Sequence, residues 1–332
     1  MRKPLGFTWG VAAVIVLAFA CAAQAQTYAS FDVPGATNTV GYAINKTGAV
    51  GGWWSDPAAT LHGFVRAADG TIAPFDPPGS IQTQVTGIGP TGDAVGFELD
   101  GSLVWHGFVR AADGTLTMIN VPGSAGTIAF CINKKSAVAG YYFDTNIVAH
   151  GFVRDSGGTF TSFDPPGSTE TIPRSISSKG AIVGYYRDSG GVYHGFLRSA
   201  KGAMTTFDPP GSTETVPYDV SDKGVIAGWY ADAGGVFHGF VRAADGTISP
   251  FDPPGSTATA AVGINAKGVV SGYYRDGGDV YHGYIRAADG TITTFDPPGS
   301  VRTIAYRINT KGAVTGDWDG GSGAHGFIRG RK

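Results

Sequence analysis

The string His-Gly-aromatic-aliphatic-Arg occurs seven times, opening at His62, His106, His150, His194, His238, His282 and His325. Five successive spacings are 44 residues and the last is 43. A second string, Phe-Asp-Pro-Pro-Gly in most copies, begins at Phe31, Phe75, Ile119, Phe163, Phe207, Phe251 and Phe295. A third anchor is Thr39, Thr83, Thr127, Thr171, Thr215, Thr259 and Thr303, each followed thirteen residues later by glycine. A period of this length over the whole chain restricts the fold to solenoids, propellers and related arrays, because one unit alone cannot bury its apolar face.

Within a unit the short-range period is two. Ile172, Arg174 and Ile176 alternate with Pro173, Ser175 and Ser177, which marks a strand. Ser178-Lys179-Gly180 gives a tight turn, a second strand covers Ala181 to Tyr186, and Arg187 to Gly191 reverses the chain. A third strand runs from Tyr193 to Arg198 and a fourth from Ala203 to Phe207. With 53 glycines and 19 prolines, the chain has too many helix breakers to be helical. Four short strands per unit match a propeller blade.

The ends of the chain separate a ring from a linear array. The last unit stops after His325 to Arg329 and lacks a fourth strand, whereas Thr27 to Phe31 is a fourth strand with no unit before it. A solenoid would want distinct capping units. A closed ring needs the arrangement found, so the fold expected is all-β, a seven-bladed β-propeller of four-stranded antiparallel blades, with the N-terminal strand completing the last blade. The domain spans residues 26–332. Closure makes the threonine-anchored strand innermost, and the small residues Ala43, Gly87, Cys131, Ser175 and Gly263 suit the place where blades converge. The Asp-Pro-Pro-Gly connections and Tyr-Tyr-Arg-Asp loops then share one face, and the short lysine-bearing turns occupy the other.

Residues 1–25 read as a cleavable signal peptide: Arg2 and Lys3, an apolar run from Val11 to Ala20, then Ala23-Gln24-Ala25. The run is short for a membrane span, and Ala18-Phe19-Ala20 before Cys21 matches a lipidation signal poorly. Cleavage takes the formal charge from −2 to −4 and leaves Cys131 alone, so no intramolecular disulfide forms. A secreted or periplasmic protein is expected, with no nucleic-acid partner and no membrane span, because no basic patch or long apolar run remains. A monomer without cofactor or metal is expected.

The succession Gly-Ile-Asn-x-x-Gly-x-Val-x-Gly-Tyr-Tyr followed by His-Gly-Phe, clearest from Gly263 to Tyr284, resembles the bacterial HAF-type extracellular repeats. The resemblance covers all seven units. This chain has glycine where the family name has alanine, arginine where tryptophan is frequent, and Asp-Pro-Pro-Gly in place of a leucine- and glycine-rich stretch. The resemblance implies export and a repeated β architecture, and it implies no activity.

Chemistry has to be sought against that symmetry. The seven histidines occupy one equivalent position per blade, so rotation holds them apart, and a buried imidazole bonded to backbone or to a neighbouring loop within its own blade is expected. Asp32, Asp76, Asp164, Asp208, Asp252 and Asp296 are expected to cap turns. The Asp-x-Gly-Gly loops lack the oxygen ligands of a calcium site. Arg174, Asp219 and Arg307 break the pattern of the innermost strand, and would either hold an anion or solvate a wet channel. Glu170 and Glu214 suggest a glycosidase pair only if their separation suits one. Aromatic pairs crowd the second strand, and the loop-proximal set is the candidate ligand surface: Tyr186, Arg187, Asp188, Tyr230, Tyr274, Arg275 and Asp276. The function expected is a binding or scaffold module for an extracellular glycan or protein, the alternative being a propeller enzyme acting on glycans.

Overall fold

Strand alternation and the glycine turns produce the expected units. The computed structural model describes residues 26–331, so the leader read over residues 1–25 lies outside the described residues. Twenty-eight strands, β1 to β28 in chain order, form seven antiparallel four-stranded sheets. In blade 4, β14 (Glu170–Ile176), β15 (Ile182–Arg187), β16 (Tyr193–Arg198) and β17 (Met204–Phe207) follow one another from the axis outward. Blades 1 to 6 repeat this order, and their innermost strands contact one another around a closed ring. Among the described residues no helix is long and apolar enough to cross a membrane.

Blade 7 is completed from the other end of the chain. β1 (Gln26–Phe31) pairs antiparallel with β28 (Ala324–Arg331), giving the order β1-β28-β27-β26, where β26 is Arg302–Ile308 and β27 is Val314–Asp319. The seven-bladed ring is therefore closed by the N-terminal strand.

The core lies between blades. The aromatic residue of each His-Gly-aromatic string, Phe64 to Phe327 with Tyr284 in blade 6, is fully buried, worth about 1.5–3 kcal/mol apiece. Phe163 of blade 3 meets Phe196 of blade 4 edge-on at 6.0 Å, and the Arg198 guanidinium lies 4.8 Å from the Phe163 ring centre. The same three-part contact joins Phe31, from β1, to Phe64 and Arg66 of blade 1. Blade 2 ends its fourth strand in Ile119, and Arg154 turns instead to Phe160 of its own blade. The tyrosine hydroxyl that blade 6 adds at Tyr284 is buried, and it donates to the Ala260 carbonyl at 3.1 Å.

On the short-turn face, asparagine side chains stitch neighbouring blades. Asn45 donates to the Gly89 carbonyl, Asn133 to Ser177, Asn265 to Asn309 and Asn309 back to Asn45, at 3.0–3.1 Å. On the opposite face, Pro-Pro-Gly makes a tight turn: Ser168 N–H donates to the Pro165 carbonyl at 3.1 Å, with Gly167 at φ +81°.

Candidate functional site

Every innermost strand carries a β-bulge at the same place, marked in blade 4 by the register shift between Pro173 and Ser175. The bulge turns one side chain per blade toward the axis. Those seven are Tyr42, Thr86, Phe130, Arg174, Tyr218, Val262 and Tyr306. The Arg174 guanidinium lies 4.4 Å from the Phe130 ring centre and 4.5 Å from that of Tyr218, and reaches the Tyr42 hydroxyl at 3.5 Å. Tyr42 also packs on Tyr306 and Trp53. An aromatic plug around one cation fills the axis at this level.

Directly beneath, Asp219 and Arg307 form an ion pair at 3.1 Å. Asp219 accepts from Ser175 Oγ at 2.6 Å and from the Ile264 amide at 2.9 Å. Arg307 donates to the carbonyls of Tyr218 and Val262. All three residues read as channel-lining are thus on the axis, and protein groups engage their charges. Cys131 lies in the same layer, where burial pushes its thiol up to about 12.

The histidines are part-exposed, with 22–31% of each side chain accessible, and they bond to side chains. Part exposure departs from the buried imidazole expected, whereas bonding to loop groups of the same blade agrees with that expectation. In blade 4, Nδ1 of His194 meets Asp208 at 2.8 Å and Nε2 meets Asp188 at 3.3 Å. The second corrected residue set is the Phe-Asp-Pro-Pro-Gly aspartates: Asp76, Asp164, Asp208, Asp252 and Asp296 hold the imidazole of their own blade at 2.7–2.8 Å. Asp32 of β1 does the same for His325. The loop aspartate also accepts backbone amides, as Asp188 does from Val192. Burial opposes the charged imidazole of His194, and the two carboxylates outweigh it, leaving its pKa raised; His238 and His282 behave alike. Among the described residues no group of three His, Cys, Asp or Glu side chains is arranged to hold a metal ion.

An aromatic ring covers six of the seven imidazoles. Tyr186 lies opposite His194 in the sheet with ring centres 5.2 Å apart, and Tyr230 with His238 and Tyr274 with His282 repeat the contact. The structure therefore places the three candidate tyrosines against histidines within their blades. Arg187 is exposed and donates to the Gly191 carbonyl at 3.2 Å, and Arg275 pairs with Asp279 at 3.4 Å. Asp188 and Asp276 are the histidine partners just described.

The other member of each aromatic pair faces the mouth on the long-loop face. Trp229 meets Phe237 at 4.8 Å and Tyr273 meets Tyr281 at 5.9 Å, both edge-on. Between them and Tyr218 opens a recess of about 230 Å³, floored by Ala258, Thr259 and Ala260. The recess exists because blade 6 breaks the repeat: Ala260 stands where five other blades have Val or Ile, and Val262 where the neighbouring blades have Tyr218 and Tyr306. Burial raises the Tyr273 hydroxyl pKa, so it stays a neutral donor and acceptor. Phe237, 42% exposed, forms a ridge between this recess and a second hollow of about 370 Å³ that Glu214, Thr213 and Gly191 help to line. The sequence signal for this site was the alternating set Ala258, Ala260 and Val262, small where most of their equivalents are larger.

No family model and no curated protein matches this sequence. Solved structures do. Virginiamycin B lyase from Staphylococcus aureus, in a catalytically inactive form with quinupristin, is similar at a TM-score of 0.61 and 12% identity, over 92% of this chain and 99% of that one. The β-propeller domain of the Trilobed protease from Pyrococcus furiosus is similar at 0.63 and 11% identity, over 88% and 94%. A streptogramin B lyase gives 0.59 and 14% identity, over 91% and 97%. At such identities the likeness is one of fold. The Pyrococcus domain is described as having an open velcro topology, whereas this ring is closed by β1.

Proposed function

We propose that the chain is an exported glycan-binding propeller whose site is the aromatic recess between blades 5 and 6. One observation carries this reading: the recess of Tyr218, Trp229, Phe237, Tyr273 and Tyr281, opened by small residues in blade 6. Flat rings cover the apolar faces of a sugar while phenol and threonine hydroxyls meet its hydroxyls. The lining offers rings, methyls and hydroxyls, and no carboxylate or imidazole to act as acid or base. The neighbouring hollow across Phe237 gives an oligosaccharide a second place to rest. Arg187 and Arg275 contribute peripheral charge on the same face. Export is supported by the leader-like residues 1–25 and by the resemblance to HAF-type extracellular repeats.

A glycan array probed with the protein from residue 26 onward tests the proposal. An oligosaccharide should be retained, and Trp229→Ala should weaken it at least ten-fold with the unfolding midpoint nearly unchanged. An array without any retained glycan, or full affinity in Trp229→Ala, contradicts it.

A further inference from the structure

Six of the seven histidines carry an aromatic ring against the imidazole, with ring centres 4.5–5.3 Å apart. Blade 2 is the exception. Directly opposite His106, where the other blades have Tyr or Trp, stands Glu98. The missing ring leaves a pocket of about 450 Å³, walled by Pro77, Pro78 and Met118. Glu98 is only 4% exposed, and its Oε2 has no hydrogen-bond partner.

The charges around this imidazole are also rearranged. Nε2 of His106 meets Asp100 at 3.2 Å as in other blades, but Nδ1 faces the amide oxygen of Asn120 at 3.1 Å instead of a carboxylate. Blade 2 has therefore exchanged a paired carboxylate at 120 for one at 98 whose Oε2 no donor reaches. A buried carboxylate without a donor is costly, and a cationic nitrogen is the group that relieves it. The fold shows six times over what fits above the imidazole: a planar aromatic ring.

We propose that the blade-2 pocket binds a small aromatic amine, its ring stacked on His106 in the place of the absent Tyr or Trp and its ammonium on Glu98. The site is separate from the recess between blades 5 and 6 and does not rest on the glycan reading. Carbon-bound ring protons of His106 report stacking through ring-current shifts, and calorimetry reports affinity.

The experiment titrates the protein with tyramine at pH 7. One equivalent should bind and shift the His106 resonances, and ethylamine, which lacks the ring, should bind at least ten-fold more weakly. Glu98→Gln should weaken tyramine at least ten-fold. Glu98→Tyr restores the ring of the other blades; it should abolish binding and raise the thermal midpoint. Trp229→Ala should leave tyramine binding unchanged. A folded wild-type protein that fails to bind tyramine overturns the proposal. So does a Glu98→Tyr variant that binds it as well as wild type, or a Trp229→Ala variant that alone loses it.

Discussion

His194 shows how one residue type serves the scaffold seven times. Its pKa is raised, so its share of stability is complete below the unfolded value near 6.5 and is lost as pH rises through the folded one. Its partner Asp188 is lowered, chiefly by the Val192 amide, so that share is present above about 3.9 and lost as pH falls through the lowered value. The urea midpoint should fall between pH 6 and pH 8, and His194→Gln should flatten part of that fall. Asp317 runs the other way. It stands in blade 7 where the mouth-facing ring has Trp229 or Tyr273, only 1% exposed, and burial pushes it up to about 6 despite Arg302 at 2.5 Å. Ionising it costs on the order of 3 kcal/mol, and that penalty grows from pH 4 to pH 7. Asp317→Asn should therefore lose less stability than wild type over that range in parallel urea titrations, and equal slopes would contradict the assignment. The histidine pairing was legible in repeated spacings, six residues back to an aspartate in every copy and fourteen forward to another in five of them. Which of two adjacent tyrosines the histidine would cover was not. Alternation puts Tyr185 and Tyr186 on opposite faces, and only the packing of blades decides which face meets solvent.

At the scale of the strand, the glycine thirteen residues after each threonine permits the inward bulge. A β-carbon at Gly184 would run into the Ile172 carbonyl, and the equivalent glycines meet the same obstacle. Gly184→Ala should cost about 3 kcal/mol by chemical denaturation, in line with overpacking of a tight interior. Gly277→Ala, in an open loop with nothing near its β-carbon, should stay within about 0.5 kcal/mol. Comparable losses in both variants would show that the bulge is not what demands glycine. Strand number, order and face were readable from periodicity and turns; the second strand lies one residue later than expected, at Ile182–Arg187, and the fourth begins one residue late, at Met204. The bulge itself left no mark in the alternation, because it inserts one residue without altering the 44-residue period. The axis plug was hidden for that reason: the residues that fill it are the bulged ones.

At the scale of the molecule, the ring depends on β1. Phe31 is buried against Phe64 and Arg66 of blade 1, and Asp32 holds His325 of blade 7. Removing residues 27–32 leaves β28 with an open edge and breaks both joints at once. The truncated protein should unfold at a clearly lower temperature by calorimetry and self-associate by light scattering; an unchanged midpoint in a monomer would contradict closure by this strand. Sequence symmetry disclosed the ring, and departures from symmetry mark the two proposed sites within it, at blade 6 for the recess and at blade 2 for the pocket. The most direct test of that claim is a binding isotherm for the array-selected oligosaccharide on wild type and on Ala260→Ile, which restores the bulk carried by Ile172 and Ile304. Ala260→Ile should fold with an equal or higher midpoint and lose at least ten-fold in affinity. Unchanged affinity in that folded variant would contradict the claim.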